Sequence, residues 1–291
     1  IDGQLMTALI TVRADDVTIA ELTLRGADSH SILLRADRGT IYRVSFVNVD
    51  GAAVKADSTI ASADDAVVAC SRFSQSAAMQ VASCTAIGVF GQGVRGWKVL
   101  ANRFDRFRCD NATNDRSIFF TRRSRDAFIA RNIIRDSYIG IQLGFAEFPE
   151  PEDRSYADEP ACAQDSHVDF MGGTVCNNFV FRSGEFPPVD SGIALWQSCD
   201  VTVAHNTIVT PTGVDSFAAI GWRYANTSNV EILNNLATGA LLSRQDAVAN
   251  EHDNQTISDP EGSFVNLAEG DLHLRPGASI ERGNPVPECL D

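Results

Sequence analysis

The sequence predicts an all-β fold, a single-stranded parallel β-solenoid of about eight or nine turns with three short strands per turn. Three observations carry this reading. One eight-residue frame recurs eight times along the 291 residues. An asparagine column flanked by two apolar columns runs through the copies, and further apolar runs, most opening on Gly or Ser, lie between them.

The frame is plainest in VTVAHNTI (201–208), VEILNNLA (230–237), AFIARNII (127–134), WKVLANRF (97–104) and GTVCNNFV (173–180). AVVACSRF (66–73), GTIYRVSF (39–46) and VTIAELTL (17–24) keep the same register. The reference column reads Leu22, Val44, Ser71, Asn102, Asn132, Asn178, Asn206 and Asn235, at spacings of 22, 27, 31, 30, 46, 28 and 29. Three residues earlier every position is Val or Ile, and two residues later the column is Leu24, Phe46, Phe73, Phe104, Ile134, Val180, Ile208 and Ala237.

Within each copy the apolar period is two, so the frame is a short strand, a sharp corner and a second short strand. The third strand comes from SILLRA (31–36), SIFFTR (117–122), GIQLGF (140–145), GIALWQ (192–197) and AAIGWR (218–223). One turn of three strands cannot bury its inner face, whereas stacked turns share one core and pair each strand with its equivalent in the next turn. Asparagine suits the corner because it tolerates left-handed backbone and because its amide can bond to the corners above and below. Asn102, Asn132, Asn178, Asn206 and Asn235 are therefore expected in one column along one edge.

The frame VxVxxNxI followed by GIxL resembles the right-handed parallel β-helix of the pectin-lyase-like superfamily over about residues 8–250. The stretch GDLHLRPGASIERG (270–283) resembles the closing segment of exported members of that superfamily. The resemblance implies a polysaccharide lyase-like activity. A leucine-rich repeat fits the frame less well, since segments such as 210–228 have no helical period and the apolar positions are Val and Ile.

The spacing of 46 marks an insertion of about 17 residues, the acidic, proline-containing stretch 146–173, which leaves from the end of a strand and is placed to fold over that face. Past Asn235 the frame decays, with Glu251 where a β-branched residue is required. The domain reading is a β-helix over 1–250 with a loop insertion at about 146–172, and a capping segment over 251–291 of the same domain. The opening at Ile1 shows neither an initiator Met nor a signal peptide, which reads as a processed start with no visible N-terminal cap. Seven cysteines without a CxxC or zinc-type spacing allow up to three disulfides and one left over, consistent with a secreted, cell-surface or periplasmic protein. Cys162 with Cys176, and Cys70 with Cys84, are near enough in sequence to be considered, although neither pairing follows from sequence.

A net charge of −14 repels phosphate backbones, and no window reaches a membrane-spanning length, so neither nucleic acid nor a membrane span is expected. Lys55 and Lys98 are the two lysines among 24 basic residues, so anion recognition falls to arginine, which suits carboxylates. The outward positions of the third strand type carry Arg35, Lys55, Thr121, Arg122, Arg123, Gln142, Trp196, Gln197, Trp222, Arg223, Tyr224 and Arg244. Aromatic faces stack on sugars and arginines bind uronates, so this stripe predicts a groove for an acidic polysaccharide or oligosaccharide. Arg122, Gln142, Trp196, Trp222 and Arg244 are the candidate substrate-binding residues. Eliminative cleavage needs carboxylate neutralisation and proton transfer, for which Lys55, Arg123, His167, Arg223 and Tyr224 are the catalytic candidates. The lyases suggested by the resemblance carry a Lys/Arg pair in local signatures that are not recognisable here.

The expected function is an exported, monomeric, carbohydrate-active protein, a lyase-like enzyme on a uronate-containing glycan. A non-catalytic glycan-binding or adhesin-like β-helix is the alternative. Hydrolysis is disfavoured, because GHG and RIK segments are missing and Asp15-Asp16 and Asp64-Asp65 occupy turn positions before the frame. No cofactor is required. The acidic insertion (Glu147, Glu150, Glu152, Asp153, Asp158, Glu159, Asp165, Asp169) has the oxygen density for calcium but no EF-hand spacing. His205 at a corner reads as structural.

Overall fold

The computed structural model describes residues 8–80, 84–109, 115–145, 154–164, 167–183, 189–210, 216–278 and 286–289. The frame folds into three parallel sheets of nine strands each, and every strand pairs with its equivalents one turn below and above. The architecture is a right-handed parallel β-helix of about nine turns. At about 4.8 Å per turn the rod is about 40 Å long.

The turns are numbered here by their strands in the first sheet: Ala8–Val12, His30–Leu34, Gly51–Asp57, Ala86–Gln92, Arg116–Thr121, Ile139–Leu143, Val189–Trp196, Ser216–Arg223 and Leu241–Arg244. The second sheet starts at Thr18–Ala20 and the third at Thr23–Arg25. Inward columns fill the rod. In the second sheet Ile41, Val68, Val99, Ile129, Val175, Val203 and Ile232 are fully buried one above another. In the third, the rings of Phe46, Phe73 and Phe104 stack at 4.7 and 4.3 Å between centroids. Like side chains meet like at each step, so the stack buries apolar area that a single turn leaves wet.

The asparagine column is continuous. The amide N–H of Asn132 donates to Asn178 Oδ1 at 3.0 Å, that of Asn178 to Asn206 Oδ1 at 3.0 Å, and that of Asn206 to Asn235 Oδ1 at 2.9 Å. Each side-chain Nδ2 also donates to the Oδ1 of the next asparagine. The ladder reaches further than the five asparagines. It starts at Val44, whose N–H donates to Ser71 Oγ, continues from the Ser71 N–H to Asn102 Oδ1, and ends at Asn254, which accepts from Asn235. The left-handed residue is not the asparagine but the one before it, as at Ala101, Arg131, Asn177, His205, Asn234 and Asp253. The bend is made one residue early so that the asparagine side chain turns inward, where it satisfies buried backbone groups that would otherwise be orphaned. His205 holds such a corner.

Asn254 closes a ninth turn, in which Glu251 pairs with Ile232 at the inward column. The tail beyond it was expected to cap this end, but its described residues lie along the flanks of the rod. Phe264, Leu267 and Leu272 pack with Phe181 and Val209 of the third sheet, and Val286 and Cys289 with Ala130, Cys176 and Ala204 of the second. Glu251 and its neighbours Asn250 and His252 stay exposed, and such polar edge strands oppose end-to-end stacking. Among the described residues, helix is confined to single turns such as Ala77–Gln80 and Pro260–Ser263, and no helix is long and apolar enough to cross a membrane.

Two disulfides form, Cys84–Cys109 and Cys162–Cys199. They replace the two pairings considered from sequence spacing. The first links the loops ahead of neighbouring first-sheet strands, and the second ties the insertion to the second sheet. Both indicate an oxidising, extracytoplasmic environment.

Candidate functional site

The outer face of the first sheet is the most chemically varied surface of the rod. Register places Lys55, Phe90, Phe119, Gln142, Ala194 and Gly221 in one outward column. A second outward column holds Asp57, Gln92 and Thr121 low on the rod and Trp196, Arg223 and Arg244 high on it. Trp222, expected as a sugar-stacking residue, pairs with Leu195 in the column between them and is buried in the core, 2% exposed. Alternation from Ile220 sends Trp222 inward and leaves Arg223 outward.

A line of aromatic rings climbs this face. Phe90 stacks on Phe119 at 5.0 Å, Phe119 meets Phe145 edge-on at 5.9 Å, Phe145 lies 5.9 Å from Trp196, and Trp196 meets Tyr224 edge-on at 6.4 Å. Cations ride on the rings: Lys55 Nζ is 5.5 Å from Phe90, Arg116 is 4.8 Å from Phe119, and Arg223 is 4.6 Å from Tyr224. Phe119 and Trp196 are nearly buried, so Phe90, Phe145 and Tyr224, together with the exposed Phe217 under Arg244, supply the accessible ring surface. The line runs from turn four to turn eight, a span of about 20 Å.

At the lower end Lys55 is half-buried, with Nζ 3.8 Å from Asp57 Oδ2. Burial pulls its ammonium below the ordinary value of 10.5, Asp57 opposes this, and the nearby Arg122 charge adds to the lowering. His30 lies alongside, and burial and then the Lys55 charge hold its imidazole below its usual 6.5, hence neutral at pH 7. A softened amine and a neutral imidazole therefore lie near the lower end of the aromatic line, within reach of the Arg122 charge.

One turn above Phe90, Arg116 is buried, bonded through Nε to Gln142 Oε1 at 2.6 Å, and lowered to about 10 by burial. Gln142 is fully buried in turn and donates to the Gly144 carbonyl, so it orients Arg116 instead of meeting solvent. Arg223 Nε donates to Gln245. Arg244 Nη2 stands 3.8 Å from Asp190, its side chain partly exposed over the ring of Phe217. A partly exposed arginine beside an aromatic surface is suited to a carboxylate.

The insertion lies beside this face, over the corner that follows it. Arg154 grips Asp64 through two bonds of 2.6 Å, Tyr156 is packed against Arg125 and Arg154, and Asp158 pairs with Arg95 and Arg125. Arg123, expected as an exposed catalytic group, is consumed here. It pairs with Glu159 at 2.7 Å and donates to the carbonyls of Arg154, Ala163 and Val168. Asp169 pins the exit of the fifth strand by accepting from Thr121 Oγ1 and from the N–H groups of Arg122 and Phe145, although burial pushes its carboxyl up to about 6. Asp158, Glu159 and Asp169 are thus bound to the protein's own donors. Glu147, Glu150, Glu152, Asp153 and Asp165 lie outside the described residues. Among the described residues no group of three or more His, Cys, Asp or Glu is placed to hold a metal ion.

This geometry divides the two arginines. Arg123→Ala is expected to cost about 2 to 3 kcal/mol, because it leaves Glu159 and three carbonyls without their donor. Arg223→Ala, at a half-exposed site, is expected to cost under about 1 kcal/mol. Urea unfolding of the two variants checks the contrast.

The structure thus lines up Gln142, Trp196, Arg223, Tyr224 and Arg244 between turns six and nine, with Lys55 at turn three, about 24 Å below Arg223, and Arg122 between them at the exit of the turn-five strand. His167 is exposed on the returning insertion, where its carbonyl accepts from Asn226. Asp15-Asp16 and Asp64-Asp65 are corner residues: Asp16 and Asp65 adopt left-handed backbone, and the paired aspartates hold Arg38 and Arg154. Phe90, Arg116, Phe119, Phe145 and Asp190 join the site without having been singled out from sequence. Phe119 was legible, since alternation in SIFFTR puts it between the inward Ile118 and Phe120. A cavity of about 560 Å³ lies elsewhere, at the exposed ninth turn, lined by Leu241, Glu251, His252 and Asn254 among others. No family model, curated protein or solved structure matches the chain.

Proposed function

We propose that the protein is a secreted, cell-surface or periplasmic lyase that binds an acidic polysaccharide along the outer face of the first sheet and cleaves it by β-elimination at Lys55. The observation that carries the proposal is a half-buried lysine over Phe90 at the foot of the aromatic line, its basicity lowered by burial and by the charge of Arg122, which leaves the strand two turns above.

In this mechanism Arg122 bonds the uronate carboxylate and acidifies the adjacent C–H. Neutral Lys55 takes that proton. The electron pair forms the C4–C5 double bond as the C4–O bond breaks, and the departing oxygen takes the proton back from the Lys55 ammonium. Phe90, Phe145, Tyr224 and Phe217 hold successive sugars, while Arg223 and Arg244 meet their carboxylates. Hydrolysis has less support, because among the described residues Asp57 and Asp190 on this face lie four turns apart, far beyond the separation that carboxylate pairs use, and Asp169 is held by Thr121 and backbone N–H groups.

The test is a panel of uronate-containing polysaccharides followed by ultraviolet absorbance of the unsaturated product. Absorbance rising with at least one of them is the expected result. Binding of an acidic glycan without any product would instead assign the protein to the non-catalytic class, whose face would be the same and whose Lys55 would serve only as a cation.

A further inference from the structure

The described tail segment 286–289 lies against the second sheet and carries a cysteine. Cys289 lies in a single-turn 3-10 segment, Pro287–Cys289, and is buried together with Val286 against Ala130, Cys176 and Ala204. Cys176 occupies the last outward position of its strand, in register between Ala130 and Ala204. The small neighbours above and below leave the tail room to approach. Asn177, the residue after Cys176, is a left-handed corner, and its Nδ2 donates to the Cys289 carbonyl at 2.7 Å. The two sulfur-bearing residues are therefore held together from both sides, by apolar packing and by a hydrogen bond to the backbone of one of them.

We propose that Cys176 and Cys289 are joined in the mature protein as a third disulfide, which clamps the end of the tail to the flank of the rod. The chain already carries Cys84–Cys109 and Cys162–Cys199, so it matures where thiols are oxidised. The bond forms by thiol–disulfide exchange with a disulfide oxidant such as oxidised glutathione. The Cys176 and Cys289 thiols lose two protons and two electrons, one S–S bond forms between them, and the oxidant's S–S bond is reduced to two thiols. Seven cysteines then resolve into three bridges and Cys70, which is exposed at the left-handed corner before Ser71. The clamp closes a loop of more than a hundred residues, so it removes much of the freedom of the unfolded chain.

The experiment uses the full chain, oxidised with glutathione disulfide until Cys84–Cys109 and Cys162–Cys199 are complete, then alkylated under denaturing, non-reducing conditions. A protease that cuts before aspartate isolates Cys176 in peptide 169–189 and Cys289 in peptide 271–290. Mass spectrometry is expected to find these two peptides joined, with alkylation confined to Cys70. Alkylated Cys176 and Cys289, or either one bridged to another cysteine, would overturn the proposal. As a second readout, Cys289→Ser should lower the thermal midpoint by about 5 °C or more in the oxidised protein and by much less after reduction. An equal loss under both conditions would mean that the residue contributes only packing.

Discussion

Lys55→Arg is expected to reduce kcat on a cleaved uronate polymer by at least about 100-fold while KM changes by less than about threefold. The substitution keeps a cation beside Asp57 and over Phe90, so substrate binding and folding are preserved. It removes the proton acceptor, because a guanidinium does not deprotonate in this range. The pH profile of the parent carries the same information. The active form of Lys55 is the neutral amine, so the rate rises with pH, and a pKa held below 10.5 moves that limb downward. The variant loses the limb. Steady-state kinetics between neutral and alkaline pH, with the thermal midpoint as a folding control, provide the measurement. Equal kcat in the two proteins would remove Lys55 from the chemistry.

Asn178→Ala is expected to destabilise the rod by about 3 kcal/mol or more, among the largest effects available from one side chain outside the apolar core. Its Oδ1 accepts from both the backbone and the side chain of Asn132, and its Nδ2 donates to the carbonyls of Ile129 and Cys176 and to Asn206. All of these groups are buried, so truncation strands donors and acceptors in two neighbouring turns. Asn254→Ala, at the end of the same column, should cost under about 1.5 kcal/mol, because Asn254 is itself only half-buried and its bonds are partly buried. Urea denaturation of both variants gives the comparison. Equal costs would mean that the ladder contributes through local corner geometry and not through burial.

The β-helix was legible because every turn repeats the same physical problem. A β-branched inward residue, an inward asparagine at the corner and an apolar residue two places on solve it each time, and the repetition shows in the chain. The ninth turn escaped because Asn254 follows Asn235 by 19 residues and Glu251 breaks the β-branched column. At the rod's end an inward position meets solvent and is free to be polar. The first-sheet strand 86–92 escaped for a different reason. Gly88 and Gly91 interrupt its alternation, since a Cβ at either would collide with Phe104 or Phe120, and Phe90 went unnoticed with it.

The site was harder to read, because its members are set by contacts between segments that the local pattern does not encode. Arg123 sits in an outward-looking stretch, yet the returning insertion buries it through Glu159, 36 residues away. Gln142 is at an outward position but is roofed by Arg116. The disulfides follow the same rule. Cys162 bonds to Cys199 because the insertion comes down over the second sheet, which nearest-neighbour spacing does not reveal.

The most direct measurement is the crystal structure of the Lys55→Arg variant with a uronate hexasaccharide bound. The account predicts a chain of sugars along the first sheet, with one carboxylate on Arg122, its scissile carbon facing residue 55, and further rings over Phe90, Phe145 and Tyr224. An oligosaccharide bound in the cavity at the ninth turn, or against Arg72 and Arg103 on the third sheet, would contradict it.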